Sequence, residues 1–177
     1  MRVIGGQYRS RRLKTLKGLD VRPTPDRLRE ALFNVLGARV AGAVFVDAYA
    51  GCGSVGIEAL SRGAGRVVFI ERKHAAVQVI RENLRTLGIE KGFEIIHGKV
   101  SARLPRVAAD IVFLDPPYPL VKEYDAALGA LGDAPPELVI AQHASRHTLR
   151  EAYGALRRTR QLRHGDNTLT FFAPDGL

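Results

Sequence analysis

Six consecutive residues constrain this chain more than any others: Gly51-Cys52-Gly53-Ser54-Val55-Gly56. They fit the pattern G-x-G-x-x-G. A short apolar strand at 44–46 precedes them, and a helix expected over 52–61 follows. The pattern needs that setting, because glycine permits both the tight turn and the close approach of a ligand to the backbone. Glu71 stands 20 residues after Gly51, at the end of the next apolar run. An acidic side chain there receives two ribose hydroxyls. The combination points to a cofactor that carries a nucleoside. It does not separate a dinucleotide from S-adenosylmethionine, since both place a ribose beside that carboxylate. Asp47 ends the first strand, where it could meet an ammonium group or hold the loop through its amides.

Around this loop the sequence alternates between two periods. Apolar runs at 44–46, 67–70, 93–97, 111–114 and 138–141 predict strands. Runs this apolar are buried on both faces, as in parallel sheets. Apolar residues at helical spacing predict helices over 26–36, 75–87 and 121–131. The segments 156–162 and 168–172 read as an antiparallel hairpin at a sheet edge. The fold expected is therefore α/β, a doubly wound and mostly parallel sheet of seven strands. At 177 residues this is one domain with an arm. Residues 1–25 form the arm, a basic hairpin packed on the core with turns at Gly5-Gly6 and Gly18, and 26–177 form the domain.

Several functions are excluded or disfavoured. A single cysteine, Cys52, rules out an intrachain disulfide. His143 and His147 are four apart, but no further ligand follows at metal-site spacing, so no metal is expected. No nucleophile-elbow sequence marks a hydrolase. No apolar run is long enough to cross a bilayer and no signal segment opens the chain, so a cytoplasmic protein without a membrane partner is expected.

Charge points to nucleic acid. The chain holds 27 Lys and Arg against 18 Asp and Glu, a formal net charge of +9. The surplus is uneven: residues 1–39 carry ten basic side chains opposed by Asp20, Asp26 and Glu30. Arg9, Arg11, Arg12, Arg22, Arg27 and Arg29 are the candidates for contact with nucleic acid, which the resemblance given below makes RNA. A second cluster runs from Arg146 to Arg163.

Asp115-Pro116-Pro117-Tyr118 follows the apolar strand 111–114, at the edge where open α/β sheets bind ligands. Two prolines stiffen the backbone and remove two amide donors. What remains is a carboxylate, bare carbonyls and an aromatic ring. That set accepts hydrogen bonds from an exocyclic amine and stacks on a flat base. An amine on a nucleobase is a weak nucleophile, because its lone pair is delocalised into the ring. Acceptors at the Asp115 carboxylate and the Pro116 carbonyl would localise that lone pair, while Tyr118 holds the base plane.

The glycine loop and Asp115-Pro116-Pro117-Tyr118 together resemble the class I methyltransferases that use S-adenosylmethionine. The four-residue turn is similar to that of enzymes acting on exocyclic amines of bases. Arg22-Pro23-Thr24, Arg29-Glu30-Ala31-Leu32-Phe33-Asn34 and Glu58-Ala59-Leu60-Ser61-Arg62-Gly63-Ala64 extend the match. Over residues 1–172 the chain resembles the bacterial 16S rRNA guanine-N2 methyltransferase family. The resemblance implies methyl transfer to the N2 amine of a guanine, on a small-subunit assembly intermediate, by what is expected to be a monomer; the alternatives are an amino-methyltransferase acting on adenine in DNA or another RNA, and a non-catalytic RNA-binding assembly factor. It implies that the loop from Ala50 through Gly51 to Gly53 lies along the methionine part of the cofactor and that Glu71 holds the ribose. The amide of Val100 would reach the adenine ring, and Asp115, Pro116 and Tyr118 would hold the guanine. Two positions depart from the family: Cys52 replaces Thr or Ser and reads as a packing residue, and Lys99 stands where relatives often place an Asp or Asn that touches the adenine amine.

Overall fold

The structure, a computed structural model, describes residues 1–16, 24–117 and 120–176. Arg22, Gly18 and Tyr118 lie outside the described residues.

In chain order the elements are α1 (Asp26–Leu36), β1 (Val44–Ala48), α2 (Ser54–Ser61), β2 (Arg66–Glu71), α3 (His74–Thr86), β3 (Phe93–His97) and α4 (Val100–Arg103), followed by β4 (Ile111–Leu114), α5 (Val121–Asp133), β5 (Leu138–Ala144), β6 (Ala152–Tyr153), β7 (Leu156–His164) and β8 (Asn167–Pro174). They build one sheet with the order β3-β2-β1-β4-β5-β8-β7-β6. Strands β1 to β5 pair in parallel, and β8 enters antiparallel beside β5. The seven expected strands are all present. The two-residue β6 extends the edge against β7, too short to leave a period in the sequence.

Strand alternation sorts the core into two layers. Phe45, Phe69, Phe113 and Ile140 face α1, α2, α3 and the N-terminal segment. Val46, Val68, Val112 and Val139 face α4 and α5. Both faces are covered, which is why these strands are apolar throughout.

Helix α1 spans the expected residues, α3 and α5 depart from expectation by one or two residues, and α4 has no counterpart among the expected helices. Helix α2 begins at Ser54 rather than 52, because Gly53 sits at φ 80°, in the left-handed region, and holds the chain in a loop. Gly56 then lies flat on β2: a Cβ there would come within 2.3 Å of the Phe69 ring. Helix α1 has no side-chain cap at Pro25. Thr24, two residues before the helix, turns its hydroxyl to Asp115.

The first 16 residues fold as a hairpin strap. Val3 and Arg11 pair through the backbone, as do Met1 and Leu13, and Val3 and Leu13 are buried in the first core layer. Helix α2 clasps the strap. The buried Glu58 carboxylate accepts the Ile4 and Gly5 amides, each at 2.8 Å. Ser61 bonds Gly5 and Tyr8, and Asn83 of α3 bonds both backbone groups of Lys14.

Candidate active site

The carboxyl ends of β2, β1, β4 and β5 open into a cleft of about 220 Å³. Asp47, Ala50, Gly51, Glu71 and Val100 line it, and so do Asp115 and Pro116. One cavity thus gathers residues drawn from widely separated stretches of sequence. Gly53 lies buried beneath it, against Ile80 and Phe69.

The loop after β1 is held from several sides. Asp47 accepts the Gly56 amide at 2.8 Å. Glu71 accepts the Gly51 amide at 2.9 Å and the Lys73 amide at 2.8 Å. Asn83 donates to the Cys52 carbonyl at 3.0 Å. Of the two roles open to Asp47, the loop-holding one is visible. Burial drives its carboxyl well above the usual range, against the pull of the Gly56 amide. Cys52 is buried, and burial raises its thiol, as suits a packing residue.

Asp115 and Glu71 are separated by the widths of β1 and its neighbours, two strand spacings or about 10 Å. Asp115 is partly buried, and Thr24 donates to its Oδ2 at 3.3 Å. Burial pushes its carboxyl up to about 7, and the Thr24 bond offsets part of that rise. Lys99 is exposed at the mouth of the cleft, next to the buried Val100 that begins α4.

Tyr49, Glu123, Gln142 and Asn167 also line the cleft, and no sequence motif marks them. Tyr49 stands at φ 63° and donates to Glu123 of α5 at 2.7 Å. Gln142 follows the apolar stretch of β5, and Asn167 begins β8. Only Gln142 left a signal, being the first polar residue after a fully apolar strand. The contact of Tyr49 with Glu123 spans 74 residues and has no local signature. His143 packs away from this site, bonded to Thr170 and Ala144, and burial lowers its imidazole.

The basic candidates divide. Arg9, Arg11, Arg12 and Arg27 are exposed. Arg29 is not an RNA-facing residue: its side chain is fully buried, bonded to the Arg2 carbonyl and Asp26 and 4.0 Å from Glu58. It falls on the inner face of α1, one residue after the buried Leu28, and serves as a strut under the strap. Burial lowers its pKa, partly offset by Glu58 and Asp26.

The strand order with its central parallel half, the antiparallel hairpin beside β5, and an acid-held glycine loop at the carboxyl edge define a class I methyltransferase fold. The chain belongs to the family described as Conserved hypothetical protein 95, whose model matches residues 1–173. It is 36% identical over 176 residues to "Putative rRNA methyltransferase YlbH" of Bacillus subtilis, covering 93% of this chain and 94% of that protein. It is 38% identical over 120 residues to "Ribosomal RNA small subunit methyltransferase D" of Escherichia coli, covering 67% of this chain and 60% of that protein. Among solved structures, "Putative methyltransferase yhhF" from Escherichia coli superposes with a TM-score of 0.86 at 26% identity, covering 100% of this chain and 99% of that one.

Proposed function

We propose that this chain transfers a methyl group from S-adenosylmethionine to the exocyclic N2 amine of a guanine in 16S rRNA, acting as a cytoplasmic monomer on a small-subunit assembly intermediate. One observation carries the choice of cofactor. The loop amides that would cradle a pyrophosphate in a dinucleotide site are already taken by carboxylates, Gly56 by Asp47 and Gly51 by Glu71. With those amides occupied, the loop offers an anionic cofactor few donors, while its carboxyl oxygens can accept from a cofactor that bears an ammonium.

In this reading Ala50 and Gly51 shape the wall along the methionine part, with Gly53 beneath them and Asp47 behind. Glu71 keeps lone pairs for the ribose hydroxyls, and Val100 flanks the adenine. When bound, S-adenosylmethionine supplies a methyl group activated on sulfur. Asp115 and the Pro116 carbonyl accept the two hydrogens of the guanine amine and draw its lone pair out of the ring. The Asp115 charge offsets the positive charge that grows on nitrogen as the N–C bond forms. A carboxyl pushed up to about 7 is also able to take the departing proton. Tyr118 stacks on the base. Arg9, Arg11, Arg12, Arg22 and Arg27 meet the RNA backbone, and residues 1–25 serve as a basic arm on a methyltransferase domain of 26–177.

The relatives named as rRNA methyltransferases support the RNA substrate. The acceptor-rich turn at Asp115 supports an amine target. Mass-spectrometric nucleoside mapping of 16S RNA from cells lacking the protein, with and without complementation, tests both. Loss and restoration of one N2-methylguanine is expected. An unchanged set of methylated nucleosides would reject the proposal.

A further inference from the structure

We propose that Gln142 reads the target base, its side-chain carbonyl accepting the N1–H of the guanine whose N2 amine is held at Asp115. This rests on the guanine-N2 reading and adds to it a residue that determines specificity.

Strand register places Gln142 beside Asp115. Leu114 of β4 pairs with Ala141 of β5 in a parallel ladder, so the next residue along each strand is Asp115 and Gln142. Alternation puts both on the face of Phe113 and Ile140, and both line the cleft. The Gln142 side chain is deeply buried at 4% exposure, and its Oε1 has no hydrogen-bond partner among the described residues. An unsatisfied buried acceptor is costly and invites a reason. The surrounding polar groups do not supply one. The Gln142 backbone carbonyl takes the Tyr124 hydroxyl at 2.6 Å, and the adjacent His143 is bonded to Thr170 at 2.7 Å. The strand is therefore pinned on both sides of an amide that is left wanting.

The chemistry of the base supplies the partner. In guanine the N2 amine adjoins N1–H, a donor. In adenine the amine adjoins N1 with a bare lone pair. With the amine on the β4 turn, a group on the next strand is placed to meet the neighbouring ring nitrogen. A carbonyl there pairs with guanine and opposes a purine whose N1 carries no hydrogen. 2-Aminopurine isolates this contact well, because it keeps the exocyclic amine but lacks the N1 hydrogen.

The test uses the full-length protein and small-subunit particles carrying guanine or 2-aminopurine at the methylated position. Single-turnover methylation, product identity, binding of S-adenosylhomocysteine and thermal unfolding are measured for wild type, Gln142→Leu and Gln142→Glu. Wild type should prefer guanine by about 10- to 100-fold, the range of one good base-edge contact. Gln142→Leu should slow guanine methylation about as much and lose most of the preference. Its cofactor binding should be unchanged and its unfolding temperature no lower, since the orphan acceptor is gone. Gln142→Glu keeps an acceptor and should restore the preference for guanine. Should Gln142→Leu fail to fold, Gln142→Met makes the same comparison. Wild type that forms N2-methylguanine while Gln142→Leu keeps full rate and preference overturns the role of Gln142 and leaves the guanine-N2 reading intact. Wild type that forms a different methylated nucleoside overturns both.

Discussion

Asp115 answers to two opposing demands. The reaction proposed for it needs a carboxylate, whereas its surroundings favour the neutral acid and push it up to about 7. A carboxyl whose folded value lies above its unfolded value of about 4 stabilises the fold fully below pH 4. That contribution is lost as pH rises from about 4 through 7. Methylation should therefore climb with pH through about 7 while stability declines over the same window. Asp115→Asn should uncouple the two. Turnover should fall by about 10²–10³, the scale of one preorganised electrostatic contact. Stability at pH 8 should rise by about 1–2 kcal/mol, as when a functional compromise is relieved. Denaturant unfolding at pH 5 and pH 8 beside single-turnover rates checks this, and equal stability of the two proteins at pH 8 would contradict it. Glu71 is the other residue to probe. Glu71→Ala should weaken S-adenosylmethionine binding by about 1.5–3 kcal/mol, the range for a hydrogen bond to a charged group. Calorimetric titration reads it directly.

At the scale of elements, the strap and α2 act as one unit. The Glu58 carboxylate has no exposure and serves two strap amides and Arg62, with the buried Arg29 4.0 Å away. Two of the Arg29 nitrogens, Nε and Nη1, have no hydrogen-bond partner among the described residues, so Glu58 supplies the charge that keeps this guanidinium inside. Glu58→Ala should cost about 3–5 kcal/mol, as when one partner of a buried pair is removed. It should also release residues 1–16 to proteolysis while the parallel sheet persists. Hydrogen exchange at Ile4 and Gly5 is the readout, and protection there equal to wild type would refute the clasp. Helix α2 thus links the strap to the glycine loop, because the same helix opens at the loop and closes on the strap. Asn83 makes a second link, bonding Lys14 on one side and the Cys52 carbonyl on the other.

Across the whole molecule, charge separates into used and spare. Arg150, Arg157 and Arg158 are paired with Asp125, Asp175 and Glu151. Arg146, Arg160 and Arg163 are exposed and form no ion pair among the described residues. Arg9 and Arg12 stand exposed on the strap in the same condition. With a net charge of +9, such side chains attract phosphate at long range. Replacing Arg9, Arg11 and Arg12 by Ala should weaken RNA binding. The log–log salt slope should become shallower by about 0.7–0.9 for each phosphate that is no longer neutralised. Cofactor affinity should not change. Binding isotherms at several salt concentrations test this, and an unaltered slope would make the strap purely structural.

Much of this was legible in the residues themselves. Strand and helix periods, the glycine loop, Glu71 and the Asp115 turn are local signals, each written within a few consecutive positions. A parallel sheet with both faces covered follows from apolar runs, and the placement of the loop at its carboxyl edge follows from the order of elements. Contacts between distant segments left no such trace. Arg29 looked like one more basic residue for RNA, and only the packing of α1 against the strap and α2 turned it inward. Only the fold brings Thr24 to Asp115, across 91 residues. Tyr49 with Glu123, and Gln142 beside Asp115, likewise depend on which strands and helices become neighbours. Periodicity records how a segment meets water and core. The partner a side chain finds is decided by tertiary register, which no single segment contains.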